Sequence, residues 1–142
     1  VSSWAINGFI ASGKKGVWAC HPMEHQLSAY YDVTHGHGLA ILTPVWMEYI
    51  LSEKTVDMFV NYGVNVFGIP DSLDKMEIAK IAIQKTREVF QEMGLTDTLR
   101  SIGITEKDKF EEMAEKAVQS GVENCFVPLH KEDVMEIYHR CF

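Results

Sequence analysis

Four of the six histidines in this chain of 142 residues lie between positions 21 and 37. The run reads His21-Pro22-Met23-Glu24-His25-Gln26-Leu27-Ser28-Ala29-Tyr30-Tyr31-Asp32-Val33-Thr34-His35-Gly36-His37. Neutral imidazole is a good ligand for zinc or ferrous iron, and two or three of them begin a site. On a helix, residues four apart project from one face, about 40° apart in azimuth and ~6 Å apart along the axis. His21 and His25 would share such a face, and a loop starting at Asp32 would fold back to bring His35 to the same place. Gly36 and Gly38 would let the backbone approach a ligand closely. The competing reading of a histidine pair at this spacing is a polar patch or a hydrogen-bonded core pair. Zinc-protease chemistry fits poorly, because HExxH needs a glutamate directly after the first histidine as general base. Pro22 stands there, and Glu24 precedes the second histidine instead. Asp32 is expected to cap the loop rather than ligate.

The elements that must position these side chains read as helices punctuated by Gly, Pro and Asp. Trp4 to Ile10 looks like the tail of a helix, followed by a turn at Ser12-Gly13-Lys14-Lys15-Gly16. Val17 to Tyr31 carries apolar residues at helical spacing, with Pro22 tolerable only in the first turn. Asp32 to Gly38 reads as a loop. Leu39 to Lys54 is nearly all apolar, which predicts a buried helix with a kink at Pro44. Val56 to Phe67 follows, then a long amphipathic helix capped by Asp74 and ending at Gly94. Thr105-Glu106-Lys107-Asp108 resembles a capping box opening a helix to Gly121. A final helix is capped near Lys131. No stretch alternates apolar and polar residues long enough to demand a sheet. The expected class is all-α, an antiparallel helical bundle of about six or seven helices.

Composition narrows the partners. Thirteen Lys+Arg against 20 Asp+Glu give a formal charge of −7. That argues against nucleic acid and anionic membrane surfaces, which need a basic face. The longest apolar run is far short of the roughly 20 residues that span a bilayer. Cys20, Cys125 and Cys141 are odd in number and lack CxxC spacing, so reduced thiols in a cytoplasmic protein are expected. Trp18, Trp46, Tyr30 and Tyr31 are expected in the core, and His130 and His139 in solvent. Cys20 is not expected to ligate, because adjacent helical residues point about 100° apart. His37 reads as a loop residue without a metal role.

The stretch Trp18-Ala19-Cys20-His21-Pro22-Met23-Glu24-His25-Gln26-Leu27-Ser28-Ala29-Tyr30-Tyr31, with Asp32-Val33-Thr34-His35-Gly36-His37-Gly38-Leu39-Ala40-Ile41-Leu42-Thr43-Pro44 after it, resembles the signature of iron-containing (group III) alcohol dehydrogenases. Within that family it is most similar to the butanol dehydrogenase branch. Weaker likeness extends to Thr98-Leu99-Arg100-Ser101-Ile102-Gly103-Ile104 and to Lys131-Glu132-Asp133-Val134-Met135-Glu136-Ile137. Two positions depart from the family pattern. Val17 stands where an acidic N-cap is frequent, and His37 where a small residue is common.

The resemblance implies that residues 1–142 are the C-terminal all-helical domain of a longer enzyme, with an N-terminal α/β domain binding NAD(P)H outside this sequence. It implies one divalent cation, Fe²⁺ or Zn²⁺, held by His21 and His35 and by an Asp-x-x-x-His pair upstream. It places His25 beside the nicotinamide and the substrate, as the catalytic histidine, rather than on the metal. The implied reaction passes hydride between NAD(P)H and a small alcohol or aldehyde, and the implied assembly is a homodimer of the full-length enzyme. Two alternatives stay open: a related glycerol dehydrogenase-like oxidoreductase, and a helical interaction module whose histidines are structural.

Overall fold

The computed structural model describes residues 18–142, and the expected helix tail and turn before Val17, with Val17 itself, lie outside them. The described residues form six α-helices and no strand: α1 (Cys20–Tyr31), α2 (His35–Ile50), α3 (Val56–Phe67), α4 (Lys75–Glu92), α5 (Phe110–Gln119) and α6 (Lys131–Cys141). Short 3₁₀ turns at Arg100–Ile102 and Val122–Asn124, not foreseen from the sequence, complete the path. No helix among the described residues is long and apolar enough to cross a membrane.

Helix α2 is the hub, packed against α1, α4 and α6, while α3 pairs with α4 and α5 with α6. The sequence explains that place: Ala40, Ile41, Leu42 and Val45 leave almost no surface for water, and all four are buried. Pro44 lies inside α2, where its ring removes one ladder hydrogen bond. A main core gathers Met23, Leu27, Ile41, Leu42, Ile83, Leu99, Phe110, Met113, Ile137 and Tyr138 from every side of α2. Two long-range bonds stitch the C-terminal helix in: the Tyr138 hydroxyl donates to the Met23 carbonyl at 2.8 Å, and the Leu99 N–H donates to the Cys141 carbonyl at 2.7 Å.

Several boundaries follow from local chemistry. The Asp74 carboxylate accepts from the N–H groups of Met76 (2.9 Å) and Glu77 (3.2 Å), the expected cap of α4. Helix α3 ends in a left-handed Gly68 (φ 64°), with Ile69 N–H reaching back to Gly63 O at 3.2 Å, a Schellman closure. The capping box expected at Thr105–Asp108 does not form. Helix α5 starts later, at Phe110, because Phe110 is the first side chain in that stretch able to enter the core. At α6 the reciprocal bond does form, from His130 N–H to Asp133 Oδ2 at 2.7 Å.

Candidate metal centre

The site is built where α1 meets the start of α2. The expected loop from Asp32 to Gly38 is shorter in the structure. Asp32 takes the left-handed conformation (φ 54°) and closes α1 through its N–H to Ser28 O. Helix α2 then begins at His35, with His37 and Gly38 N–H groups both bonded to Thr34 O at 2.8 and 3.0 Å. His35 therefore sits on a rigid first turn instead of a flexible loop.

From there its ring meets those of α1. The His21 and His35 ring centroids are 5.2 Å apart, His25 and His35 5.4 Å, and His21 and His25 6.1 Å. The structure thus brings together all three histidines singled out in the sequence. His37 points elsewhere: its Nε2 accepts the Thr96 N–H at 3.1 Å and lies 2.8 Å from the Thr96 hydroxyl. That ring ties the first turn of α2 to the segment after α4, and it belongs to a helix rather than a loop.

Of the two carboxylates near the histidines with ligand spacing, Glu24 and Asp32, the sequence assigns a role only to Asp32 and leaves the burial of Glu24 unforeseen. Its side chain is fully buried, whereas His35 remains about half exposed. A buried carboxylate is costly unless each oxygen finds a partner. Here Oε1 accepts from Ser28 Oγ at 2.6 Å, and Oε2 contacts Nδ1 of His35. The Ser28 Oγ also lies 2.8 Å from the Val33 carbonyl, so its single proton is shared between two acceptors and the connection between the helices is drawn into the same network. Gly38 makes the room, because a Cβ there would lie 2.7 Å from both Glu24 Cγ and Oε1. One donor atom each from Glu24, His25 and His35 lie within 4.8 Å of one another, a spacing that suits a metal ion. The signal in the sequence was Glu24 lying among Cys20, Leu27 and Ser28 at helical spacing, on a face that otherwise enters the core.

A family model described as the C-terminal part of the Fe-containing alcohol dehydrogenase family matches residues 4–142. This chain belongs to that family. The chain is 53% identical over 143 residues to NADH-dependent butanol dehydrogenase A of Clostridium acetobutylicum, covering 99% of this chain and 36% of the relative. It is 49% identical to NADH-dependent butanol dehydrogenase B of the same organism, covering 98% of this chain and 36% of the relative. Among solved structures, NADH-dependent butanol dehydrogenase A from Thermotoga maritima superposes with a TM-score of 0.82 at 30% identity, over 99% of this chain and 37% of that one. The chain therefore spans about a third of the length of the relatives it matches.

On the Trp18 side of His21, this member of the iron-containing alcohol dehydrogenase family presents an apolar hollow of about 240 Å³ lined by Trp18, Ala19, Cys20, His21, Trp46, Cys125 and Phe126. Trp18 was expected in the core, yet it is 58% exposed, with its ring edge-on to His21 at 4.2 Å. It precedes the first turn of α1 and, among the described residues, lies outside the helices that form the core. Trp46, Tyr30 and Tyr31 are half-buried and packed against the core. A hollow of about 460 Å³ between α2 and α4 is lined by Glu48, Leu51, Lys80, Ile83 and Gln84, with no histidine among them.

Burial lowers the His21 pKa, and the neighbouring His35 and His25 rings lower it further against an opposing pull from Glu24. The neutral ring with a free lone pair is thereby favoured. Burial pushes the Cys20 thiol up to about 12, against a smaller lowering by its bond with Thr43. A thiol so hard to ionise is a poor ligand. All three cysteines are free. His130 pairs at the surface with Glu123 at 3.2 Å, and His139 is exposed, its ring in a T-shaped contact with Phe110 at 5.6 Å between centroids.

Proposed function

We propose that this chain is the C-terminal, metal-holding domain of a longer NAD(P)-dependent alcohol dehydrogenase or aldehyde reductase, with butanol dehydrogenase-like substrates. The supporting observation is the meeting of His35 on α2 with both His21 and His25 of α1, at 5.2 and 5.4 Å between ring centroids. Donor atoms of Glu24, His25 and His35 lie within reach of one ion, and the family resemblance assigns His21 rather than His25 to the metal. The donor set fits a divalent cation. His21 is biased towards its neutral form, and His35 is held on one nitrogen by Glu24 with the other left free. Two imidazoles suit iron or zinc alike. Further ligands, and the part that binds the nicotinamide cofactor, would come from the rest of the enzyme.

When bound, such a cation supplies Lewis acidity, which eases hydride transfer between an alcohol or aldehyde and the nicotinamide. The chain's own residues do the rest. His21 and His35 hold their lone pairs in fixed directions, because each belongs to the first turn of a packed helix. His25 is exposed beside both rings, placed to pass a proton between the substrate hydroxyl and water at a ring nitrogen. The apolar hollow next to His21 offers a wall of Trp18, Trp46 and Phe126 for a short alkyl chain.

The test uses the full-length enzyme with butanal and NADH or NADPH. His21→Ala and His35→Ala are expected to lose bound metal and turnover together. His25→Ala is expected to keep its metal and lose about 10²–10⁴-fold in kcat. Undiminished metal content and turnover in both His21→Ala and His35→Ala would refute the assignment.

A further inference from the structure

The buried Glu24 has no part in the chemistry above, and its surroundings give it one. We propose that Glu24 is a positioning residue that fixes the ring of His35 in the tautomer a metal ligand needs, with Gly38 as the cleft that admits its carboxylate. The inference rests on reading His21 and His35 as metal ligands.

Three observations on different elements carry it. Glu24 Oε2 contacts His35 Nδ1 across the α1–α2 interface. The ring nitrogen set against a carboxylate oxygen is the one that donates an N–H to it, which assigns the proton to Nδ1 and leaves the lone pair on Nε2. Oε1 accepts from Ser28 Oγ at 2.6 Å, and that bond stops the carboxylate from rotating away. Gly38, one turn after His35, leaves out a Cβ that would lie 2.7 Å from both Cγ and Oε1 of the carboxylate side chain. A carboxylate bonded to the far nitrogen of an imidazole orients the ring and raises its basicity as a ligand, and loss of such a partner typically weakens metal binding about 10–100-fold. A carboxylate kept merely for packing would need neither the partner on His35 nor a glycine opposite it.

The experiment is run on the full-length enzyme with Glu24→Gln, which keeps the side-chain volume, and Glu24→Asp, which keeps the charge one methylene short of His35. Two readouts are taken: affinity for Zn²⁺ and Co²⁺ by chelator competition, and the tautomer of His35 in the metal-free protein from ¹⁵N-histidine spectra. The His35 signal is assigned by its disappearance in His35→Ala. The expected result is metal binding about 10–100-fold weaker in Glu24→Gln, with a smaller loss in Glu24→Asp. The His35 proton moves from Nδ1 towards Nε2 in the same order. Wild-type affinity in both variants, or weakened affinity with the Nδ1–H tautomer intact, overturns the role given to Glu24. Should Glu24→Gln not fold, Glu24→Asp decides by the same two readouts. A His35→Ala protein that keeps its metal instead overturns the underlying reading of the centre, an outcome visible without either Glu24 variant.

Discussion

Two glycines flank His37 in the first turn of α2, and their surroundings differ. A Cβ at Gly36 meets nothing within 4 Å among the described residues, whereas a Cβ at Gly38 collides with Glu24. Gly36→Ala should leave stability unchanged or raise it by up to about 1 kcal/mol, the helix-propensity difference. Gly38→Ala should cost about 1–3 kcal/mol through overpacking against a side chain that cannot retreat. Urea midpoints of the two variants check the contrast, and equal midpoints would show that Glu24 yields freely. At this scale the sequence told part of the story. The histidines were legible because their chemistry is carried by residue type and their spacing by helical geometry. Glu24 was not, because a lone glutamate beside a histidine looks like any solvated charge until the opposing helix is known to bring Gly38 against it.

Helix pairs depend on how closely their backbones can approach. At Gly63 of α3, a Cβ would lie 2.9 Å from Ile78 Cγ2, 3.1 Å from Ile69 Cδ1 and 3.2 Å from Ala82 Cβ. Those neighbours are themselves buried in a small satellite core. Gly63→Ala is therefore expected to cost about 1–3 kcal/mol, against about 1 kcal/mol for Asp74→Ala, which removes only the cap of α4. Chemical denaturation of both variants checks the order. The existence of each helix was readable from apolar periodicity and from Asp74 and Gly68, since caps and stops are local. The starts of α2 and α5 were misplaced for a shared reason. A boundary shifts to wherever a side chain first finds a tertiary partner: His35 finds Glu24 earlier than the glycines suggested, and Phe110 finds Tyr138, at 5.4 Å between rings, later than Thr105 suggested.

Across the whole molecule, the interior holds acidic groups that must stay neutral. Burial raises the Tyr138 phenol well above its ordinary 10.0 and the Cys141 thiol well above its ordinary 9.0. The folded state thus keeps protons that the unfolded chain releases once pH passes the ordinary range. Stability contributed by these groups is complete below about pH 9 and declines as pH rises beyond it. Urea midpoints measured from pH 7 to pH 11 should be flat at first and then fall. Tyr138→Phe should flatten part of that fall, while costing about 1 kcal/mol at neutral pH for the lost bond to Met23 O. A midpoint independent of pH throughout would contradict the buried, protonated state of both groups. The all-helical class and the family's part of the enzyme could be read before any coordinates; the central place of α2 could not, because uniform apolarity says that a helix is enclosed and not by which neighbours. The meeting of residues 24 and 38 also bears on descent. The two positions draw on one allotment of space, so neither is free to drift alone. A lineage that enlarges residue 38 must first shrink residue 24, and in doing so it gives up the carboxylate and must steady the ring at position 35 by other means.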